Sequence, residues 1–183
     1  MSRRTANPSL PDLAPSLAPP RRSHSERDAH QATTAGTRRF FDRSPRRNDE
    51  FVNQFPRKLV ASALGIGSFL GDCTDAEDAR YRASVREALN SGVNMIDTAS
   101  NYRCQRSERA VGHAVVESIA AGEVRRDEVI VCTKGGYVAL DGQPPASREA
   151  YEQWLETSLF APGIITPDEM VRGAKSEVSS HCS

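Results

Sequence analysis

The first part of this sequence has few of the residues that build a hydrophobic core. Aromatic residues make up only 6% of the whole chain, and residues 1–48 hold ten arginines and no lysine against four acids, with Pro and Ser common. Such a segment cannot bury enough apolar surface to offset the entropy of ordering its backbone. Residues 1–50 are therefore predicted to form a disordered arm rich in Arg, Pro and Ser.

Long hydrophobic runs are also missing. No apolar segment approaches the roughly 18 residues that a membrane-spanning helix needs, so no membrane association is expected. No apolar stretch follows Met1, and a secretory signal is not expected either. The Arg-rich start has some features of a transit peptide, but Pro8, Pro11, Pro15 and the Pro19–Pro20 pair interrupt any amphipathic helix there, which makes this the less favoured alternative.

Cysteine is sparse and shows no pattern. The four cysteines, Cys73, Cys104, Cys132 and Cys182, include no CxxC pair and no metal-binding spacing. A reducing compartment is the default interpretation, and a cytoplasmic protein without a metal site is expected. Cys132 falls in an apolar run and is interpreted as a small buried hydrophobe.

Two apolar runs that are present end in ionisable residues. Met95-Ile96 is followed by Asp97 and, five residues later, by Tyr102, while Val129-Ile-Val-Cys-Thr is followed by Lys134. Each run follows an apparent amphipathic helix, as in repeated βα units with parallel strands. In a βα barrel the chemistry lies at the carboxyl ends of the strands. There, an ammonium beside a phenol favours the phenolate and a carboxylate can hold the ammonium, which together make a tunable proton donor.

These residues resemble the aldo/keto reductase family. The resemblance runs from about Lys58 to Tyr137 and is carried by Gly92-Val-Asn-Met-Ile-Asp97-Thr-Ala, by Ser107-Glu108-Arg-Ala-Val-Gly112, and by Lys134 at the end of the next strand. Two departures are visible. Tyr102 is followed by Arg103 where the family usually has glycine, and the stretch before Ser107 is longer than the commonest form by about three residues. A variable loop accommodates both.

The resemblance implies a (β/α)₈ barrel of the TIM type and an NAD(P)H-dependent oxidoreductase that transfers hydride between a nicotinamide cofactor and a small-molecule carbonyl or alcohol. NADPH is the expected cofactor, with NADH as the alternative. Tyr102 would protonate the developing alkoxide, Lys134 would assist the release of that proton, and Asp97 would orient Lys134. The turn after the first strand would lie beside the cofactor, so Gly67, Ser68 and Phe69 are candidate cofactor contacts together with Asp97.

The length of the chain points to an incomplete barrel. A (β/α)₈ barrel takes about 250 residues, whereas residues 51–171 supply about three βα units and residues 172–183 read as an unstructured tail. In the resembled family, the catalytic histidine follows a fourth strand. His181 has no apolar run before it, so the role of that histidine is not carried over to His181. The alternative to an enzyme is therefore a truncated, non-catalytic fragment or a gene-prediction artefact, and activity of this chain alone is not expected.

Several residues have plainer interpretations. Gly65-Ile-Gly67-Ser-Phe-Leu-Gly71 has the wrong glycine spacing for a dinucleotide-binding fingerprint and is interpreted as a strand-to-loop turn. Asp97 alone could be a structural strand-end acid. Glu108 is interpreted as a first-turn helix acid, and His113 as a helix surface residue. The paired arginines of the arm lack interleaved aromatics, so a solvated tail is favoured over a nucleic-acid contact; the oligomeric state stays open.

Helix and strand boundaries follow from capping residues and periodicity. Lys58–Gly67 is predicted as the first barrel strand, preceded by a short hairpin that uses Phe51, Val52 and Phe55. The predicted helix caps are Thr74, Ser107 and Ser147, and the predicted helix stops are Gly92 and Gly122. The second and third strands are predicted at residues 93–96 and 129–133.

Overall fold

The structure, a computed structural model, describes residues 30–43, 52–55 (backbone only) and 58–170. The helices are α1 (Thr34–Asp42), α2 (Asp75–Asn90), α3 (Arg106–Ala120) and α4 (Arg148–Leu155), and the strands are β1 (Val52–Phe55), β2 (Leu59–Ser62), β3 (Gly65–Gly67), β4 (Met95–Asp97) and β5 (Ile130–Cys132). Short 3₁₀ turns lie at Arg126–Glu128 and Pro167–Glu169, and a π turn at Glu156–Phe160 extends α4. The protein is thus an α/β structure.

The three strands β3, β4 and β5 form a parallel sheet in chain order. Their register aligns Gly67, Asp97 and Cys132 in one row at the carboxyl edge. Helices α2 and α3 connect these strands, so the predicted order of strand, helix, strand, helix, strand is confirmed, as is the parallel pairing. The row is important because residues that follow it in the sequence emerge on the same edge of the sheet.

The prediction of one first strand across Lys58–Gly67 is wrong. This stretch forms two strands: β2 pairs antiparallel with β1 in a hairpin, and only β3 joins the parallel sheet. The Ser62 hydroxyl donates to the Leu64 carbonyl at 2.6 Å and closes a bend between them. The Asn94 side chain then accepts from the Ser62 amide at 3.0 Å and donates to the Val60 carbonyl at 3.0 Å, which replaces a strand ladder on that side. The hairpin was predicted to precede the first strand, whereas β1, with Val52 and Phe55 at its ends, pairs with the first half of that predicted strand.

Two of the three predicted helix caps are confirmed. The Thr74 hydroxyl accepts from the Glu77 amide at 3.3 Å and caps α2, and Gly92 adopts a φ of 90° directly beyond its end. Ser147 caps α4 in the same way. The prediction that Ser107 caps α3 is wrong: the cap position is Gln105, and Ser107 lies inside the first turn, fully buried, with its hydroxyl donating to the Ser68 carbonyl at 2.5 Å.

The core lies between the helices and the parallel sheet. It is built from side chains of α1, α2, α3, β4 and the segment that leads into β5: Phe40, Phe41, Val85, Leu89, Ile96, Val111, Ala114, Val115, Val124 and Val129. Because the apolar faces of α2 and α3 point to the same sheet, burial of these side chains holds the strand ends in fixed relative positions. Cys132, predicted to be buried, is only half-buried.

Helix α1 corrects the prediction of a disordered arm for its own residues. Thr33 caps it by accepting from the Gly36 amide at 2.9 Å, and the buried Thr37 hydroxyl accepts from the Val60 amide at 3.0 Å. Arg39 donates to Glu128 at 2.8 Å across the base of the sheet. A composition averaged over fifty residues hid this short segment with its own cap and two aromatic residues. The remainder of the predicted arm (1–29 and 44–50) and the predicted tail lie outside the described residues.

Two kinds of feature are absent from the described residues. No helix there is long and apolar enough to cross a membrane. No group of three or more His, Cys, Asp or Glu side chains there is arranged to hold a metal ion.

Candidate active site

Lys134 brings the three predicted site residues together. It follows β5 by two residues, and its ammonium donates to Asp97 Oδ2 at 2.7 Å, to the Tyr102 hydroxyl at 2.9 Å and to the Thr98 carbonyl at 3.0 Å. An ammonium has three N–H donors and no acceptor. All three donors of Lys134 are therefore in use, and their acceptors come from β4 and the loop that follows it.

Asp97 and Lys134 are placed by the strand register. Asp97 is the last residue of β4 and pairs with Cys132, two residues before Lys134. The ladder continues past the strand ends: the Thr98 amide donates to the Cys132 carbonyl at 2.9 Å and the Ser100 amide to the Lys134 carbonyl at 3.2 Å. Two extended backbones with these bonds hold the carboxylate and the ammonium side by side.

Tyr102 reaches the site from the loop after β4. Its amide donates to the Ala99 carbonyl at 3.1 Å, which turns the chain back over the strand end. Its ring meets the Phe69 ring edge to face, with centroids 4.9 Å apart, and the Lys134 ammonium lies 4.6 Å from its centroid. Since Lys134 can only donate, the Tyr102 oxygen accepts from it, and the phenolic proton points elsewhere.

The local charges favour the protonated form of Lys134. Its hydrogen bonds to Asp97 and then to Tyr102 raise the pKa of Lys134 above its usual value. The side chains of Asp97 and Lys134 are 46% and 48% exposed, so the pair is screened by solvent and its contribution to stability is small. An ammonium that stays charged is a fixed positive group beside the Tyr102 oxygen.

The predicted cofactor contacts lie at the same edge. Gly67 pairs with Asp97, and a Cβ added to Gly67 would meet no atom within 4 Å. Ser68 is buried, and its hydroxyl donates to the Asp97 carbonyl at 3.1 Å, so its side chain supports the strand end. Phe69 is 38% exposed and presents the rest of its ring beside Tyr102.

Sequence reasoning missed three supports of this site. Glu108, interpreted as a first-turn acid of its helix, also accepts from the Thr133 hydroxyl at 2.6 Å and so contacts the residue before Lys134. The Thr98 carbonyl supplies the third acceptor for Lys134. Arg103, noted only as a departure from glycine, is almost completely buried. A backbone carbonyl carries no sequence signal, and a buried arginine is the opposite of the usual expectation.

Comparison with known proteins identifies a family for the segment that contains these residues. The sequence profile described as the Aldo/keto reductase family matches residues 63–161, which contain all of the site residues above. The chain belongs to the aldo/keto reductase family. The matched segment starts just before β3 and continues to the end of the π turn after α4, so the hairpin strand β2 and helix α1 lie outside it.

Individual relatives match over shorter segments. The chain is 36% identical over 74 residues to Aldo-keto reductase family 1 member D1 of Rattus norvegicus, covering 40% of this chain and 21% of that protein. It is 36% identical over 93 residues to Aldo-keto reductase AKR2E4 of Bombyx mori, covering 50% of this chain and 29% of that protein. An aldo-keto reductase of Mycolicibacterium smegmatis is 44% identical over 71 residues, covering 39% of this chain and 21% of that protein. The chain thus spans between 21% and 29% of these aldo/keto reductases.

Proposed function

We propose that this aldo/keto reductase chain carries the proton-donating part of a carbonyl reductase that uses NADPH, with NADH as the alternative. The observation that carries the proposal is the three-way contact of the Lys134 ammonium with Asp97, Tyr102 and the Thr98 carbonyl. The substrate would be a small carbonyl compound, or its alcohol in the reverse direction. The chain would represent the first three βα units of a (β/α)₈ barrel.

The exposed groups at the strand ends suit the nicotinamide end of such a cofactor. The Asp97 carboxylate is an acceptor that suits hydroxyl and carboxamide donors, and Phe69 and Gly67 offer an apolar, unobstructed surface beside it. When bound, the reduced cofactor supplies a hydride to the carbonyl carbon. Among the candidate contacts, Asp97, Gly67 and Phe69 would act directly, and Ser68 would act by fixing the end of β4.

The residues of the chain would supply the proton. As the carbonyl oxygen gains negative charge, the Tyr102 hydroxyl would donate its proton to that oxygen, giving the alcohol. Lys134 already donates to the Tyr102 oxygen, so it would stabilise the phenolate that this transfer leaves behind. Asp97 would keep Lys134 charged and aimed. A positioned general acid of this kind contributes about 10²- to 10⁴-fold in rate.

A second candidate is that a polypeptide of these 183 residues is catalytically silent by itself. Within the described sheet, β3 and β5 are each paired on one side only. The described residues include two histidines, His30 and His113. Both are exposed, and neither accepts a hydrogen bond from Lys134. His181 lies outside the described residues. A site open on two sides holds water, which weakens the electrostatic contribution of its groups.

The test uses a chimera in which residues 58–147 replace the corresponding segment of a complete aldo/keto reductase. Absorbance of the reduced nicotinamide follows turnover with a panel of aldehydes and ketones. We expect NADPH-dependent reduction that falls by about 10²- to 10⁴-fold in Tyr102→Phe. Tyr137→Phe is the matched control, since Tyr137 is 60% exposed on the loop after Lys134. Equal activity of the two variants would remove Tyr102 from the mechanism.

A further inference from the structure

The loop that carries Tyr102 contains an unusual turn. Arg103, Cys104 and Gln105 have φ values of 48°, 53° and 68°, so three consecutive residues other than glycine adopt the left-handed conformation. Non-glycine residues adopt it rarely, and they persist there only when the surroundings hold them. The turn lies in the stretch that is longer than the commonest form of the family, directly after Tyr102. The free energy cost of this conformation must be offset by interactions with the surrounding residues.

Arg103 makes several of these interactions with its side chain. Its side chain is buried, with Nε and Nη2 donating to the Asp72 carbonyl at 2.9 and 2.7 Å and Nη2 donating to Asp78 Oδ1 at 2.7 Å. Its guanidinium lies 5.1 Å from the centre of the Tyr81 ring. Arg103 thereby fastens the loop after β4 to the loop after β3 and to the first turns of α2.

The other two residues of the turn are held from the opposite side. The Cys104 carbonyl accepts from the Gly142 amide at 2.9 Å, and the Gln105 side chain donates to the Leu140 carbonyl at 3.0 Å. These contacts come from the loop after β5. The turn therefore joins the loops that follow all three parallel strands, and it does so one residue beyond Tyr102.

We propose that Arg103 is a positioning residue. By anchoring the turn of residues 103–105 to α2 and to the loop before it, Arg103 holds the Tyr102 hydroxyl against Lys134. The inference rests on the proposed function for its meaning, since Tyr102 matters only as a proton donor. Tyr102 stands on a loop, and loops are mobile unless they are tied down. A catalytic group must be held to within about 0.5 Å by its surroundings. The buried fork of Arg103 is the tie that lies next to it in the chain.

Replacing Arg103 leaves the charges around it compensated. Asp78 also accepts from Arg106 at 2.7 Å through its second oxygen, so it keeps a cationic neighbour when Arg103 is changed. Arg103→Met retains the bulk and the unbranched shape of the side chain and meets the same backbone conformation. We therefore expect the variant to fold while the loop loses its anchor.

The experiment measures cross-relaxation by NMR between the ring protons of Tyr102 and the ε-methylene of Lys134 in the 183-residue chain. Selective tyrosine labelling and the disappearance of the signal in Tyr102→Phe assign it. We expect the cross-peak in the unsubstituted chain, its loss in Arg103→Met, and an intermediate intensity in Arg103→Lys, which keeps the charge but not the fork. Arg106→Met is the matched control and should keep the full cross-peak.

Each outcome decides the inference. A full cross-peak in both Arg103→Met and Arg103→Lys, even with a lower melting temperature, would mean that Arg103 serves stability alone and would overturn the proposal. Absence of the cross-peak in the unsubstituted chain would overturn it as well. If Arg103→Met does not fold, the comparison of Arg103→Lys with the unsubstituted chain decides. Because no turnover is measured, failure of the proposed function would appear separately, in the chimera with Tyr102→Phe.

Discussion

Lys134 illustrates how one side chain can organise a site. Its three donors are divided between a carboxylate, a phenol and a backbone carbonyl, and each acceptor lies on β4 or the loop after it. The position of Lys134 and Asp97 was predictable, since both end apolar runs and parallel strands present their carboxyl ends at one edge. The contribution of Thr98 was not predictable, because it comes from a main-chain atom that every residue possesses.

At this scale we predict that Asp97→Asn lowers the pKa of Lys134. The raised pKa of Lys134 comes first from its bond to Asp97, and an amide cannot replace the charge. The stabilisation from this raised pKa is present below the ordinary lysine value of 10.5 and is lost as the pH rises through the folded pKa above it. A ¹⁵N titration of the Lys134 side chain measures the change; an unaltered pKa in Asp97→Asn would contradict the assignment.

At the scale of elements, helix α1 shows where composition misleads. Its segment has an average composition that predicts disorder, yet it forms a docked helix. The helix is specified by the cap Thr33, by the aromatic pair Phe40–Phe41 and by two arginines that contact Glu128. The first strand shows the same limitation. A continuous apolar run was split by the Ser62–Leu64 bend, and the amide of Asn94, which fixes the split, lies more than thirty residues away in the sequence.

Gly36→Ala should weaken the docking of α1. A Cβ at Gly36 would lie 2.2 Å from the Asp127 carbonyl oxygen, and a backbone atom there cannot move aside as a flexible side chain can. The matched control is Gly112→Ala in α3, where a Cβ meets nothing within 4 Å and the helix should gain about 0.5–1 kcal/mol. Urea unfolding measures both variants. Stabilisation of similar size by both would show that α1 is not packed against Asp127.

Glu128→Gln should destabilise the protein by about 3 kcal/mol, near the low end for a broken buried ion pair. Glu128 is buried beneath Arg39 and Arg43, whose side chains are 40% and 42% exposed and so retain some solvation. Glu152→Gln, which breaks an exposed pair with Arg148, should cost well under 1 kcal/mol. Urea unfolding of both variants provides the comparison, and equal losses would contradict the buried pair.

The pH dependence of Glu128 follows from the same contacts. Burial acts to raise the pKa of Glu128, but Arg43, the Arg125 amide and Arg39 together lower it below the ordinary value of 4.5. The corresponding stability is present above pH 4.5 and is lost as the pH falls through the lower folded pKa. Glu128→Gln should remove this acid-dependent loss.

At the scale of the whole molecule, the sequence predicted a parallel α/β arrangement and the family because strand ends, helix caps and spacing are local signals. It did not predict how loops support one another, because the bonds of Arg103 and the 140–143 loop join residues far apart in the chain. The chain spans between 21% and 29% of the curated relatives quoted above, and the described sheet has three parallel strands. The described sheet thus has fewer than the eight parallel strands of a (β/α)₈ barrel.

We predict that the 183-residue chain alone does not reduce carbonyls at a measurable rate. Lost orientation and electrostatic preorganisation should together cost on the order of 10³-fold or more. The assay is NADPH oxidation with an aromatic aldehyde panel. Turnover near about 1 s⁻¹, within the range of ordinary enzymes, that disappears in Tyr102→Phe would show that these residues suffice.

The most direct test of the central claim is a double-mutant cycle on Tyr102 and Lys134, measured as kcat/KM in the chimera. Residues that act as one unit give strongly non-additive losses. If Lys134 acts through the Tyr102 hydroxyl, as their 2.9 Å contact indicates, the Tyr102→Phe, Lys134→Met double variant should be no slower than Tyr102→Phe alone. Losses that multiply, as for two independent residues, would contradict the account.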